Sequence, residues 1–303
     1  MSILITGSTG FVGRELTSII SNAICVVRDL ESHRFEKYVQ VNSIDGSTVW
    51  CNHFNGISSI IHLAGVAHAK VGDDAIFRSI NTEGTLRLAD AAAGAGVKRF
   101  IFVSSIGVNG VSTSACRFSP QSIEHPHNAY ASSKFEAESG LKKIAKETGL
   151  EVVIVRPTLV YGPDAPGNFG MLTKLIKRLP VLPFGLATNR RDFISVQNLA
   201  DLLVTCATHP NAAGHTFLAS DSETVSIKEF TNAIAKGLGK KVFQLPVPVG
   251  LMRFAGKLTG KSAMIEQLYG DLEVDSSNIK EVLGWTPPFT MEQSMALLKH
   301  TDK

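Results

Sequence analysis

The sequence lacks any long hydrophobic segment. None of its apolar runs reaches the ~18 residues that a membrane-spanning helix requires. Its amino terminus leads directly into a short apolar run, without the basic region and cleavage site of a secretory signal peptide. We therefore expect a cytoplasmic protein without a membrane partner.

Cysteine and net charge are also sparse. Only four cysteines occur, and they form no CxxC pair: Cys25, Cys51, Cys116 and Cys206. Their spacing does not match zinc or redox motifs, and the pair His125 and His127 alone does not predict a metal site. The formal net charge is only +3 and the basic residues are scattered, so we expect no nucleic-acid partner.

The composition is that of a globular protein. Hydrophobic residues make up 44% of the 303-residue chain and charged residues 19%, which allows a large core and excludes a disordered chain. This length is compatible with two domains or with one α/β unit that carries an additional lobe.

The first stretch predicts a phosphate-binding turn. Ser2 to Thr6 is a short apolar run, as in a parallel strand that is buried on both faces. Gly7, Gly10 and Gly13 follow, and the segment from Phe11 to Ile20 has apolar residues at helical spacing. A helix N-terminus presents unpaired N–H groups to a pyrophosphate, and glycines allow the tight turn and the close approach.

The pattern TGxxGxxG, which begins at Thr6, resembles the short-chain dehydrogenase/reductase superfamily, particularly its extended branch of nucleotide-sugar enzymes. The resemblance implies an α/β protein with a Rossmann-type, doubly wound parallel sheet and a smaller, interleaved C-terminal substrate lobe. It also implies that a group of residues binds the cofactor together with Gly7 and Gly10: Thr9, Phe11, Val12, Leu63, Ala64, Gly65, Tyr130, Lys134 and Pro157.

The end of the second predicted strand bears on the choice of cofactor. This strand runs from Ala23 to Arg28, and in dinucleotide-binding folds the residue at its end meets the adenosine ribose. An arginine accommodates a 2′-phosphate, so Arg28 favours NADP(H). Asp29 is a second candidate for a ribose hydroxyl, and NAD(H) therefore stays open.

Further strands and helices follow at intervals typical of an α/β fold. We predict strands at 39–41, 58–63, 98–105, 151–156 and 214–219, and helices at 81–95, 129–148 and 226–238. Ala64 and Gly65 follow the fourth strand, where small residues let a cofactor lie against the backbone. His62 to Gly65 resembles the family's NxAG segment, and Asn81 to Thr85 resembles its NxxGT motif.

Tyr130 and Lys134 form the candidate catalytic pair. They stand four residues apart near the start of a long predicted helix and hence on one helical face, while Ser105 ends a strand earlier in the chain. Carbonyl–alcohol interconversion needs an acid/base at the oxygen, and a nearby ammonium and a nicotinamide cation would lower the phenol pKa toward neutrality. Tyr130 would then be the acid/base, Lys134 would also hold the nicotinamide ribose, and Ser105 would orient the substrate oxygen.

The resemblance extends to the rest of the chain. Residues 156–163 resemble the family's RPxNVYGP, with Leu159 where an Asn commonly touches the sugar nucleotide. It implies that Asn168 and Phe169 lie where the nucleotide binds and that Arg191 grips the diphosphate; a surface ion pair of Arg191 with Asp192 is the alternative. The implied domains are a cofactor-binding unit of residues 1–162, with sheet returns near 190–219, and a nucleotide-sugar lobe of 163–189 and 220–303. A homodimer through the helices near Asp90 and Tyr130 is also implied.

Several reactions are compatible with these residues. Ile106 and Gly107 stand where related dehydratases have Asp-Glu, which argues against dehydration. The chain also resembles bacterial enzymes that make UDP-6-deoxy-N-acetylhexosamines, so reduction of a UDP-4-keto-6-deoxy-N-acetylhexosamine at C4, for surface polysaccharide precursors, is the leading hypothesis. Because Arg28 favours NADP(H), it supports this reductase modestly. The alternative is a UDP-hexose 4-epimerase, and a non-catalytic NAD(P)-sensing protein is a hypothesis of another class.

Overall fold

The β-strands follow the predicted order along the chain. The computed structural model describes residues 2–28, 35–67, 74–260 and 262–302, apart from the side chains of 263 and 300–302. The strands in these ranges are β1 (Ser2–Thr6), β2 (Ala23–Val27), β3 (Tyr38–Gln40), β4 (Ile57–His62), β5 (Arg99–Val103), β6 (Glu151–Pro157), β7 (Leu159–Tyr161), β8 (Val181–Leu182), β9 (Arg191–Ser195), β10 (Thr216–Ala219), β11 (Thr224–Val225) and β12 (Phe243–Gln244).

Helices connect most of these strands. The α-helices in the described ranges are α1 (Phe11–Ile19), α2 (Asp74–Ile76), α3 (Thr85–Gly94), α4 (Ala129–Thr148), α5 (Gly167–Arg178), α6 (Val196–Thr208), α7 (Ile227–Gly237), α8 (Val249–Leu258), α9 (Ser262–Tyr269), α10 (Ser277–Leu283) and α11 (Met291–Ala296). A π-helix covers Phe77–Gly84, and 3-10 helices cover Ile106–Val108, Pro210–Ala212 and Leu297–Asp302. None of the helices in the described part of the chain has the length and apolar character needed to cross a bilayer.

Seven strands form one parallel sheet in the order β10-β6-β5-β4-β1-β2-β3. The chain builds the sheet outward from β1 through β2 to β3 and then returns to the other side of β1 with β4. The strand order therefore reverses between β1 and β4, and such a point is where open α/β sheets bind ligands. The predicted doubly wound parallel sheet is confirmed.

The two faces of this sheet are covered by different helices, because alternate strand residues point to opposite sides. On one side, residues such as Ile5 and Ile101 pack against α1, α6 and α10. On the other side, Leu4, Phe100 and Phe102 pack against α3 and α4. The central strands are consequently mainly apolar on both faces, which is why they appear as apolar runs in the sequence.

A smaller lobe is built from the second half of the chain. It contains a three-stranded sheet in the order β11-β9-β7, a two-stranded sheet of β12 and β8, and a core of its own. Phe193 and Phe230 stack in this core with ring centroids 3.8 Å apart. The Tyr161 hydroxyl donates a hydrogen bond of 2.7 Å to Asp221, just beyond β10, and so joins the lobe to the main sheet.

The lobe and the main sheet are interleaved along the chain. Of the predicted sheet returns near 190–219, β10 joins the main sheet, whereas β9 belongs to the three-stranded sheet. Ile279, Leu283 and Trp285, from the part of the chain assigned to the lobe, pack into the core of the main sheet. The division into two domains stays a prediction.

The helix predicted from Asn81 begins earlier in the structure. In the described range that begins at residue 74, residues are helical from Asp74 onward, and Asn81 lies inside the π-helix Phe77–Gly84 rather than at a helix N-terminus. Its side chain accepts a hydrogen bond from the Val66 backbone N–H (2.8 Å) and donates one to the Val66 carbonyl (2.9 Å). Asn81 therefore fixes the loop after β4, and it does this from within the wide turn of the π-helix.

A buried histidine at the end of β4 links the end of β1 to the start of α3. His62 is fully buried at the end of β4, and its ring lies 2.7 Å from the Thr6 hydroxyl and 2.9 Å from the Thr85 hydroxyl. Because Thr85 donates to the Asn81 carbonyl, it accepts from His62 Nε2, which assigns a neutral ring with Nδ1 as acceptor. Burial lowers the pKa of His62 from 6.5 to about 3.

This histidine predicts acid sensitivity. A histidine in the unfolded chain takes up a proton near pH 6.5, whereas His62 in the folded protein does so only near pH 3. Stability contributed by the neutral ring is thus complete above pH 6.5 and is lost as the pH falls, by up to about 1.4 kcal/mol per pH unit. In urea titrations at a series of pH values, His62→Gln should show a shallower decrease below pH 6.5 than the wild type. Parallel pH dependences would contradict this assignment.

Candidate active site

The glycine turn brings the N-terminus of α1 to the edge of the main sheet. Gly7 has a φ of +72°, and a Cβ atom there would lie 2.8 Å from the Ala64 nitrogen. A Cβ atom on Gly13 would lie 2.2 Å from the Gly7 carbonyl oxygen, so the helix can approach the turn this closely only with glycine. Gly10 is the N-cap residue and has no side chain to cover the first N–H groups of the helix.

A cavity of about 400 Å³ opens beside this turn, at the ends of β1, β2 and β4. Seven of the predicted cofactor residues line it: Gly7, Thr9, Gly10, Arg28, Leu63, Ala64 and Gly65. Phe11, Val12 and Pro157 are not among its lining residues; Phe11 and Val12 pack against the hydrophobic cores, and Pro157 pairs with Ala219 in the sheet.

The cavity also has polar lining residues that the sequence analysis did not name. Asn42, Ser43 and Asp45 follow β3 and face the same space as Arg28. Hydrogen bonds from Ser47 and Ser43 lower the pKa of the Asp45 carboxyl group. These residues could have been predicted from the sequence, because they follow a strand of the parallel sheet. The same position identified Ala64 and Gly65 as candidate cofactor residues. Arg28 itself is exposed, and Asp29 lies outside the described residues.

The residues that are present fit a dinucleotide. The turn offers backbone N–H groups without intervening side chains, and the positive end of the α1 dipole lies at the same place. Gly65, which lines the cavity, also lies next to the candidate catalytic residue Lys134. A Cβ atom at residue 65 would lie 3.4 Å from Lys134 Nζ and 2.9 Å from Asn81 Oδ1.

Tyr130 lies in the first turn of α4. Asn128 caps this helix by accepting a 2.8 Å hydrogen bond from the Ala131 N–H, which fixes where the helix begins. The Tyr130 ring meets Phe77 edge-on at a centroid distance of 6.2 Å. Ser105, the N-cap residue of the 3-10 helix that follows β5, lies close enough to this phenol group to lower its pKa. Ser105 and Tyr130 are therefore brought together, as the predicted constellation requires.

The pKa of Tyr130 is raised by the protein's own groups. Burial raises the pKa of Tyr130, and the nearby Ser105 side chain opposes this increase. The sequence analysis assigned the lowering of the phenol pKa to the lysine ammonium and a nicotinamide cation together, and this stays a prediction for the protein with its cofactor bound.

Lys134 is almost completely buried one turn further along α4. Its ammonium group donates a 3.0 Å hydrogen bond to the Val103 carbonyl and lies 4.6 Å from the centroid of the Phe102 ring. Burial lowers the pKa of Lys134 to about 8, and the negative charge of Glu138 opposes this decrease. The lysine thus stands beside the strand that ends near Ser105.

A buried ionic network lies next to Lys134 and was not predicted. Glu138 is fully buried and accepts hydrogen bonds from Arg156 (2.5 and 3.0 Å) and from the Ser104 hydroxyl (2.5 Å). Arg156 donates further bonds of 3.0 Å to Asn109 and Glu124. These bonds connect the polar loop 107–128 to β6 and α4, and they give each buried charge a partner.

The predicted substrate residues lie in different environments. Arg191 is nearly buried, and its guanidinium donates a 2.8 Å hydrogen bond to the Gly270 carbonyl, while burial lowers its pKa to about 10. Asp192 bonds instead to Thr224 and the Val274 N–H, and no ion pair joins it to Arg191 among the described residues. Asn168 is exposed and donates to Gln267 (3.3 Å). Phe169 is a core residue, 2% exposed, because its ring packs against Tyr161 and Phe230.

The chain matches a known protein family. The model of the NAD dependent epimerase/dehydratase family matches residues 3–219. A UDP-glucose 4-epimerase of Vibrio cholerae is 42% identical over 96% of this chain and 92% of its own. A GDP-6-deoxy-D-mannose reductase of Pseudomonas aeruginosa is 25% identical over 97% of this chain and 94% of its own.

A solved structure shows the same fold. The UDP-glucose 4-epimerase of Thermotoga maritima, crystallised with UDP-glucose, superimposes with a TM-score of 0.78 at 22% identity, over 99% of this chain and 98% of the other. The family model and the 42% identical relative confirm the predicted resemblance to extended short-chain dehydrogenases/reductases and the prediction of an enzyme. The chain belongs to the NAD dependent epimerase/dehydratase family.

Proposed function

We propose that the protein is a UDP-hexose 4-epimerase that works with a bound NAD(P). The observation that carries this proposal is the 42% identity to the Vibrio cholerae UDP-glucose 4-epimerase over nearly the full length of both chains. The similarity to the reductase is much lower, at 25% identity. The sequence analysis gave preference to 4-keto reduction, and the comparisons favour its alternative.

The cofactor would lie in the cavity beside the glycine turn. Gly7, Gly10 and the N-terminus of α1, with Thr9, Phe11 and Val12, would hold the diphosphate. Arg28 would meet the adenosine ribose, and Leu63, Ala64, Gly65 and Pro157 would lie along the remainder of the dinucleotide. When bound, the nicotinamide supplies a hydride acceptor and donor at C4 of the sugar.

Tyr130, Ser105 and Lys134 would handle the proton. Tyr130, as the phenolate, would accept the proton from the C4 hydroxyl group and, as the phenol, would later return it, and the Ser105 hydroxyl would keep the sugar oxygen in line with it. Lys134 binds the nicotinamide ribose through the ammonium group that now donates to the Val103 carbonyl. Because an epimerase returns the hydride to the opposite face, the keto sugar has to rotate between the two transfers.

A second candidate is the NADPH-dependent 4-keto reductase. Arg28 favours it, since this guanidinium lines the cavity at the end of β2, where a 2′-phosphate would lie. Asp45 lines the same cavity, however, and its negative charge offsets that preference. A net reductase must also exchange its cofactor in every cycle, whereas an epimerase regenerates it.

Two assays with the purified protein distinguish these functions. We expect UDP-glucose and UDP-galactose to interconvert without added reductant and without net formation of NAD(P)H. Chromatography of the nucleotide sugars measures this interconversion. Oxidation of NADPH in the presence of a UDP-4-keto-6-deoxyhexosamine, with no interconversion of the UDP-hexoses, would instead establish the reductase.

Removing the phenol hydroxyl tests the catalytic assignment. Tyr130→Phe should lower kcat by at least about a hundredfold, because it removes the proposed acid/base group, while cofactor binding is retained. Tyr269→Phe is a matched control, since its hydroxyl donates to the Pro183 carbonyl within the lobe. Unchanged turnover in Tyr130→Phe would refute the assignment, and a wild type that binds NAD(P) but turns over no nucleotide sugar would support the non-catalytic sensor.

Arg191 would bind the diphosphate of the nucleotide sugar, with Asn168 nearby. One N–H group of the buried Arg191 guanidinium donates to the Gly270 carbonyl. A guanidinium has five N–H donors, so others can bind an anion. Arg191→Gln should therefore raise KM for the UDP-sugar roughly ten- to hundredfold. The adjacent Arg190→Gln is the control, because Arg190 is exposed and pairs with Glu273. Equal KM values for the two variants, with unchanged melting temperatures, would contradict this role.

Three organisational features complete the proposal. The cofactor-binding unit would comprise residues 1–162, with sheet returns near 190–219, and the nucleotide-sugar lobe would comprise residues 163–189 and 220–303. A homodimer through α3 and α4, near Asp90 and Tyr130, and a location in the cytoplasm follow from the family resemblance. The mass of the purified protein in solution, measured by light scattering, tests the homodimer.

A further inference from the structure

Helix α8 presents an apolar stripe to solvent. Leu251, Phe254 and Leu258 are 56%, 58% and 72% exposed, respectively. At 3.6 residues per turn they fall within about 60° of one another around the helix. The opposite side of α8 packs on α9, where a Cβ atom on Gly256 would lie 2.8 Å from Ile265. The stripe therefore points away from the protein.

The apolar surface continues into the two-stranded sheet. Phe243 of β12 and Val181 of β8 are register partners, so their side chains share one face, and they are 63% and 39% exposed. Leu245, two residues beyond Phe243, is 42% exposed, and the chain from it to α8 contains no charged residue. The lobe surface is defined here by Val181, Phe243, Leu245, Leu251, Phe254 and Leu258.

The same part of the chain carries only positive charge. Between Glu229 and Glu266 there is no aspartate or glutamate, and six basic residues occur: Lys236, Lys240, Lys241, Arg253, Lys257 and Lys261. Between Asp164 and Asp192, the segment that includes β8 likewise has no acidic residue. Two of the six basic residues pair with carboxylates from outside these segments: Lys236 with Glu292 and Arg253 with Glu266. The two segments together therefore keep a net positive charge.

We propose that the lobe surface docks on a bilayer that contains anionic phospholipids. Exposed Leu and Phe side chains insert at the boundary between headgroups and acyl chains, and nearby Lys and Arg side chains attract anionic headgroups. Surface association needs no spanning segment, so it is compatible with the helix lengths of the protein. It changes the sequence-based expectation of no membrane partner, which rested on the missing apolar run.

A second copy of the chain fits this surface less well. In a two-fold symmetric contact the same patch meets itself, which would place basic residues against basic residues. An anionic bilayer instead complements both the apolar stripe and the charge. The proposal does not depend on which sugar the enzyme converts, because none of these residues lines the candidate active site.

Flotation of the full-length protein with lipid vesicles tests the proposal. We expect the protein to float with vesicles of phosphatidylcholine and phosphatidylglycerol at low salt, and to float poorly with phosphatidylcholine alone or at high salt. The double variant F254S/L258S should bind about tenfold more weakly. The control I19S/V49S removes two exposed apolar side chains elsewhere and should bind like the wild type.

Charge reversal gives an independent measurement. Lys257→Glu should weaken vesicle binding at low salt without changing the melting temperature, because this side chain is exposed. This variant also decides the matter if F254S/L258S fails to fold. The proposal is overturned if the wild type does not float, if it binds both vesicle types equally, or if neither variant binds more weakly. A loss of dimer mass in F254S/L258S with unchanged flotation would show that a second copy covers the surface.

Discussion

The close backbone contact between Gly7 and Gly13 is the constraint on which the candidate site depends. A side-chain carbon at residue 13 would lie 2.2 Å from the Gly7 carbonyl oxygen, well inside van der Waals contact. The contact holds the N-terminus of α1 against the end of β1, beside the point where strand order reverses. The positive end of the helix and the small residues after β4 consequently face the same cavity.

A second constraint is the burial of charge around α4. Lys134 and Glu138 lie one turn apart on this helix, and both are nearly excluded from water. A buried ammonium loses its charge readily, but Glu138 opposes this for Lys134, and Arg156 in turn compensates Glu138. The loop that precedes α4 is joined to the same network through Glu124, so the position of the loop and the charge of the lysine share one set of contacts.

The choice among reactions depends on details that the fold does not distinguish. The proposed roles of Ser105, Tyr130 and Lys134 would serve an epimerase and a reductase equally, since both reactions move a hydride and a proton at C4. Arg28 and Asp45 line one cavity with opposite charges, which is why cofactor preference does not follow from Arg28 alone. Similarity along the entire chain therefore carries more information about the reaction than any single side chain.

The sequence by itself determined the parts of the protein that depend on neighbours along the chain. The parallel sheet followed from short apolar runs, the turn from Gly7, Gly10 and Gly13, and the shared face of Tyr130 and Lys134 from a spacing of four. The tertiary structure decided what depends on contacts between distant residues. Arg156 meets Glu124 across 32 positions and Asn109 across 47, and Thr6 meets His62 across 56. No local periodicity encodes such partners, because they are selected by burial, where an unpaired polar group is costly.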